Sequence, residues 1–357
     1  MNKKVKKVLG QERIEKLKAI RQEFYLTFVK FIASNKIFRM LYVIFSSSFD
    51  NEIDAVFQGQ VRYTRNRQSA DSVNYLLRRN IHRIEKGLIM KPRRNVFAVN
   101  YIFETVCALQ KSIESKDYKD EVEIHWAIDI LNLYFTVIDL KNSEVSRSKK
   151  LFDGLNFDNS EESNAKFIPY KASLIDNLKV PSFDVFSELV KARRSIRFYS
   201  QKKVPKELID KAISMSVQSP SACNRFPIRF KAVYEDDSVK TAASLPMGIA
   251  GFGKNIPVLI AVVGQLRAYP KSRDRHVIYV DGGLASMTFM YAAQTLGLNT
   301  LPINWPDIAD REKRAANFLN LDKDERIIMW IGVGYCDKER LIPASAKIDV
   351  EIARDYL

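Results

Sequence analysis

The densest chemical signal in the chain is Ala192-Arg193-Arg194-Ser195-Ile196-Arg197, where three guanidiniums and a hydroxyl fall within five residues. Guanidiniums present planar forks of donors, and a group of them suits a phosphate or another planar polar ligand. The same hexapeptide also reads as a basic helix end favoured by the macrodipole. A second candidate is Ser219-Pro220-Ser221-Ala222-Cys223-Asn224-Arg225. Its small side chains let a ligand approach the backbone, and Asn224 offers a donor and an acceptor. Ser, Pro and Asn are equally the residues of a plain turn. Cys223 has no histidine near it in sequence, so a nucleophilic role is not expected. A third stretch, Leu296-Gly297-Leu298-Asn299-Thr300-Leu301-Pro302-Ile303-Asn304-Trp305, reads as a glycine-terminated helix entering an extended segment. Upstream, Arg78, His82 and Glu85 share a helix stripe with Arg83 beside it, so Glu85 could orient or charge His82. Residues 61–94 hold ten basic residues against two acidic ones. That density would hold a phosphorylated or carboxylated substrate; the plain alternative is a solvated helix face with an intrahelical ion pair.

These groups need elements to place them. Ser182 has the chemistry of an N-cap for a helix with Phe186, Leu189 and Val190 inward. Pro205 suits the first turn of a second helix burying Leu208, Ile209, Ala212 and Ile213. Residues 228–234, 258–263 and 327–333 read as strands. Residues 283–296 are apolar nearly all round, the pattern of a helix buried at the centre of a domain. The alternation predicts an α+β domain over 176–357. Before it, 51–140 reads as a helical domain, with Leu77, Ile81, Ile84 and Leu88 on one face and a further apolar helix over 125–140. The polar stretch 141–175 reads as a linker, and 1–50 as a basic helical segment.

The chain has 357 residues with 46% hydrophobic and 28% charged, a globular composition that excludes wholesale disorder. Three cysteines without a CxxC pair and three scattered histidines argue against a disulfide framework or a clustered zinc site. A reducing cytoplasm is the expected location. The net charge is +15, and the first 49 residues carry eleven basic side chains against three acidic ones. Such a balance suits nucleic acid, an anionic membrane surface or an acidic substrate. Lys30, Lys36 and Arg39 interrupt residues 24–49, which excludes a transmembrane span there, and the N-terminus lacks the small-residue cleavage site of a signal peptide. That segment either packs as a core helix or lies on anionic lipid, peripherally at the inner face of the membrane.

The three candidate stretches, with Gly332-Val333-Gly334-Tyr335, stand in an order and spacing that resembles the flavin-dependent nitroreductase family over about half of the chain. The resemblance implies a nitroreductase-like FMN-binding fold, a mixed sheet flanked by helices, preceded here by a mostly α-helical N-terminal domain. It implies that Arg193, Arg194 and Ser195 hold the FMN phosphate and ribityl chain, and that Arg197 reaches the pyrimidine edge. Pro220, Ser221, Ala222 and Asn224 would line the ring edge, Pro302, Ile303 and Asn304 another face, and Lys347 would join the phosphate from the tail. It further implies a homodimer with FMN at the interface, its core supplied by the helix over 283–296, and NADH or NADPH as electron donor. Many members carry Gln-Pro-Trp after the asparagine, whereas this chain has Arg225-Phe226-Pro227-Ile228, which changes the lining beside the flavin.

The leading expectation is an FMN-dependent NAD(P)H oxidoreductase acting through flavin N5 on a small organic acceptor, an anionic one on the strength of the basic stretch. Its added helical region, with Arg78, His82, Arg83, Glu85 and Phe226 as substrate contacts, would restrict the acceptor. That region is similar to extensions on nitroreductase-like proteins associated with bacterial polysaccharide synthesis, which points to a glycan-pathway intermediate. The alternative is a basic peripheral membrane or nucleic-acid-binding protein using the flavin fold as a scaffold. The absence of a groove-reading motif among the basic residues disfavours nucleic acid.

Overall fold

A computed structural model describes residues 11–66, 73–115, 118, 120–156 and 167–357. The lysines at 3, 4, 6 and 7, part of the basic stretch 61–94 and part of the expected linker lie outside the described residues. The chain divides into two compact units, Met1–Asp54 and Ala55–Leu357.

The first unit is a helical hairpin of α1 (Gln11–Ser34) and α2 (Lys36–Phe45). Asn35 starts α2 by accepting the Ile37 N–H at 2.8 Å, which satisfies one of the donors a helix leaves open. Phe31 stacks on Phe38 with ring centroids 4.1 Å apart, and Phe28 meets Tyr42 edge-on at 6.3 Å. No residue of α2 is buried. Of the two expectations for residues 24–49, burial in a core is not realised, because none of these residues is buried.

The helix α3 (Asp50–Asn66) contains the boundary, and the second unit continues with four further helices, α4 (Tyr75–Leu88), α5 (Ile102–Glu114), α6 (Glu121–Val137) and α7 (Ser143–Asp153). Leu77, Ile81 and Ile84 are fully buried, and Leu88 packs at the rim of their cluster, as the spacing predicts. The expected linker 141–175 is not a linker throughout, because α7 lies inside it. Asn142 caps α7 through the Glu144 and Val145 N–H groups, and Val145 and Phe152, two turns apart, are buried. The intervening polar residues dilute that apolar pair in sequence.

The remaining chain forms α8 (Phe183–Ala192), α9 (Lys206–Ser216), β1 (Ile228–Val233), α10 (Asp236–Ala243), β2 (Val258–Gln265), α11 (Val277–Thr295), β3 (Asn299–Asn304), α12 (Ala309–Leu319), β4 (Glu325–Gly334) and α13 (Val350–Ala353). The four strands pair in the order β1-β2-β4-β3, all antiparallel. The parallel component expected of a mixed sheet is confined to one bridge between Ser195 and Thr300. Every residue of β2 is buried, because helices cover both faces. Leu259, Ala261 and Val263 meet Trp330 on one side, while Val258, Ile260 and Val262 meet Phe289 and Ala293 of α11 on the other. Each buried Val, Leu or Ile side chain contributes about 1.5–3 kcal/mol by leaving water.

Two helices depart from expectation. Ser182 does cap α8 through the Val185 N–H at 3.4 Å, yet Phe186 and Val190 are exposed, with Phe186 edge-on to Tyr291 of α11 at 5.9 Å. The helix expected over 283–296 starts earlier, at Val277, and is buried on one side only. Val280 and Leu284 are exposed, and Met287 and Tyr291 partly so. Their spacing of four, three and four places them along one outward seam.

An ionic joint ties the helical region to the sheet. Arg267, after β2, donates to Asp324 at 2.7 Å and Asp322 at 2.8 Å, and Arg62 of α3 pairs with Asp322 at 2.5 Å. Tyr75 of α4 donates to Gln265 at 2.5 Å, and Gln265 to Glu325 at 2.7 Å.

Candidate functional site

α8 ends where Arg193 donates its N–H to the Leu189 carbonyl at 3.1 Å and the backbone turns extended. The Ile196 N–H then donates to the Thr300 carbonyl at 3.1 Å, so the arginine segment runs beside β3 with buried Ile196 as its anchor. Asn255 holds this segment from behind. Its Nδ2 donates to the Arg197 carbonyl at 2.8 Å, and its Oδ1 accepts the Tyr199 N–H at 3.2 Å. Arg197 is half-buried, its guanidinium 5.9 Å from the centre of the Phe252 ring. Arg194 donates to the carbonyls of Pro343 and Ala344, which draws in the tail bearing exposed Lys347. The Nη1 of Arg193 is buried without a hydrogen-bond partner. Along β3, Pro302 is partly exposed and Asn304 exposed, while the Ile303 side chain is buried with Trp305 and Trp330. Only its backbone is left for a ligand.

The second stretch lies elsewhere. Cys223, Asn224 and Phe226 have φ of 55°, 52° and 45°, a left-handed backbone that costs an L-residue roughly 1–2 kcal/mol each. Such strain persists only where the surroundings fix it. Here the Asp281 carboxylate of α11 accepts the Ala222 N–H at 3.2 Å and the Tyr269 hydroxyl at 3.0 Å. The Phe226 N–H donates to Ser221 Oγ at 2.9 Å, and Arg78 Nε donates to the Asn224 carbonyl at 2.9 Å. Arg225, buried, lies over the Tyr269 ring at 5.0 Å. Ser219 donates to Thr288 of α11 at 2.7 Å, and exposed Pro220 follows it. Burial pushes the Asp281 carboxyl up, against the donors at Ala222 and Tyr269.

Asp281 and Tyr269 are not among the sequence candidates. One signal was available: Asp281 is the single charged residue in the apolar run of α11. Asn255 has no such signal.

Of the upstream candidates, Arg78 is engaged within the chain. Besides Asn224 it reaches Asp120 at 3.3 Å and Glu123 at 3.8 Å, and it lies 5.5 Å over Trp126. His82 and Glu85 pair at 3.4 Å, both partly exposed. Arg83 stacks 3.8 Å over the Tyr101 ring. Phe226 packs at the rim of the α9–α11 cluster.

The sheet order decides how these groups relate. The arginine segment borders β3, one edge of the sheet, and the strained loop leads into β1, the other edge. Three strand spacings, about 14 Å, separate the edges. The two groups thus stand at opposite edges of the sheet.

A profile of the nitroreductase family matches residues 190–247 and 238–335. The chain is 27% identical over 189 residues to iodotyrosine deiodinase 1 of Sus scrofa, covering 44% of this chain and 63% of the deiodinase. It is 28% identical over 144 residues to a Methanothermobacter thermautotrophicus protein provisionally named NADH dehydrogenase/NAD(P)H nitroreductase, covering 40% and 71% of the two chains. An FMN-dependent nitroreductase structure from Clostridium difficile aligns with 46% of this chain and 94% of its own, at 22% identity and a TM-score of 0.40. The names of these relatives lend no support to a glycan intermediate. With the motifs, the sheet and this match in place, residues 190–335 form a nitroreductase-family domain.

Proposed function

We propose that this chain is a flavin-dependent oxidoreductase that holds FMN between two copies of itself and reduces a small organic acceptor at the expense of NADH or NADPH. The observation that carries the reading is the buried, unpartnered Nη1 of Arg193 beside Arg194, Ser195 and Arg197. A buried guanidinium donor without an acceptor is costly, and a phosphate oxygen satisfies it in the geometry guanidinium favours. When bound, FMN supplies hydride transfer at its N5.

The side chains do the rest. Arg193 and Arg194 bind the phosphate, and half-buried Arg197 sets a fixed positive charge where negative charge collects on the pyrimidine edge, with no reorganisation required. Asp281 and Arg78 hold the loop 221–226 in the shape that lines the ring in the partner copy. The outward seam of Val280, Leu284, Met287 and Tyr291, flanked by exposed Phe183 and Phe186, supports a homodimer. An apolar stripe on the central helix of a domain calls for cover. The names of the deiodinase relatives favour an acceptor reduced at a substituted ring, and Arg225-Phe226, in place of the family's usual residues, would set its fit.

Absorbance of the purified protein tests the reading: flavin bands are expected, bleached on anaerobic mixing with one or both nicotinamides. The double variant Arg193→Ala/Arg197→Ala should fold yet lose flavin, at least about tenfold in affinity for each arginine. Unchanged flavin content in that variant overturns the assignment.

A further inference from the structure

The hairpin of α1 and α2 carries a second, independent feature. In α2, Phe38, Arg39 and Tyr42 turn toward α1, where Arg39 donates to the Ala33 carbonyl at 2.7 Å. The opposite stripe, Ile37, Met40, Leu41 and Ile44, is exposed, with Ile44 at 69% and neighbouring Phe45 at 84%. In α1, Leu17, Ile20 and Phe24 are also exposed, Phe24 at 75%, while Phe28 and Phe31 further along meet Tyr42 and Phe38 of α2. Exposed apolar side chains in this number mark a docking face.

Charge selects its occupant. Lys16, Lys18, Arg21, Lys30, Lys36 and Arg39 lie on the same two helices, and the first 49 residues hold eleven basic side chains against three acidic ones. Two such hairpins repel each other, whereas an anionic surface attracts both the charge and the aromatic residues. Neither helix is long and apolar enough to cross a membrane, so contact is with the interface plane. We propose that the α1–α2 hairpin docks this protein onto a bilayer that carries anionic lipid.

Sedimentation of the full chain with vesicles tests this. Vesicles of phosphatidylcholine mixed with phosphatidylglycerol should pellet the protein, pure phosphatidylcholine should not, and added salt should release it. The variant Ile37→Glu/Ile44→Glu should lower binding at least about tenfold, and Lys30→Ala/Lys36→Ala about fivefold for each charge removed. Circular dichroism and flavin absorbance should stay unchanged in both, since Lys30, Lys36, Ile37 and Ile44 are all exposed. Failure to pellet with anionic vesicles, or equal pelleting with neutral ones, overturns the proposal. Self-association without vesicle binding, abolished by Ile37→Glu/Ile44→Glu, also overturns it and assigns the face to a second copy.

Discussion

Burial pushes the Glu123 carboxyl from its ordinary 4.5 up to about 7, against the pull of Arg78 and of the hydroxyl that Tyr118 donates. The folded protein thus binds this proton more tightly than the unfolded chain. The stabilisation from protonated Glu123 is present below about 4.5 and is lost as pH rises through about 7. Glu123→Gln keeps the shape and removes that dependence. Its advantage over the unaltered chain in urea midpoints should grow between about pH 5 and about pH 8, to about 3 kcal/mol at most. A constant difference across that range would show that Glu123 does not titrate there. Arg78 was legible in sequence as part of a basic stripe. Its partner Glu123 was not, because an acidic residue in the first turn of a helix looks like an ordinary complement to the dipole. The role of Arg78 at the Asn224 carbonyl joins residues 146 apart, a distance local patterns do not span.

Gly59 shows how closely α3 approaches the end of β2. A Cβ built there would stand 2.8 Å from the backbone carbon of Leu266, and backbone cannot swing aside as a side chain tip can. Gly59→Ala should therefore destabilise by roughly 1–3 kcal/mol, even though alanine favours a helix interior by about 1 kcal/mol. A thermal midpoint at or above that of the unaltered chain would show that α3 shifts freely. Strands were the most legible elements: β2 is apolar from Val258 to Gly264, and β4 from Ile327 onward. α7 was hidden because its buried residues are few among polar neighbours. α8 misled in the other direction, since an amphipathic pattern states that a face will be covered without stating by what.

For the molecule as a whole, Ala55, Val56 and Tyr75 share one buried cluster with Leu266, Ala268, Tyr269 and Ile278. The helical region is thus part of the folding unit and not only a restriction on the acceptor. A chain starting at Ile175 should aggregate or lose cooperative melting, seen by size exclusion and circular dichroism; a stable monodisperse product would show the helical region to be detachable. The motif order was enough to read the nitroreductase likeness, yet the placement of the two stretches at opposite sheet edges was not, because strand order is set by long-range pairing. The proposed sharing of each site between two copies has a genetic consequence. Under it, a chain altered at Arg197 and another altered at Asp281 are each defective in a different half of the site. Refolded together, they should form mixed pairs in which one of the two sites takes both halves from undamaged segments. Random pairing of the two inactive proteins should then recover about a quarter of full activity, as a two-fold assembly requires.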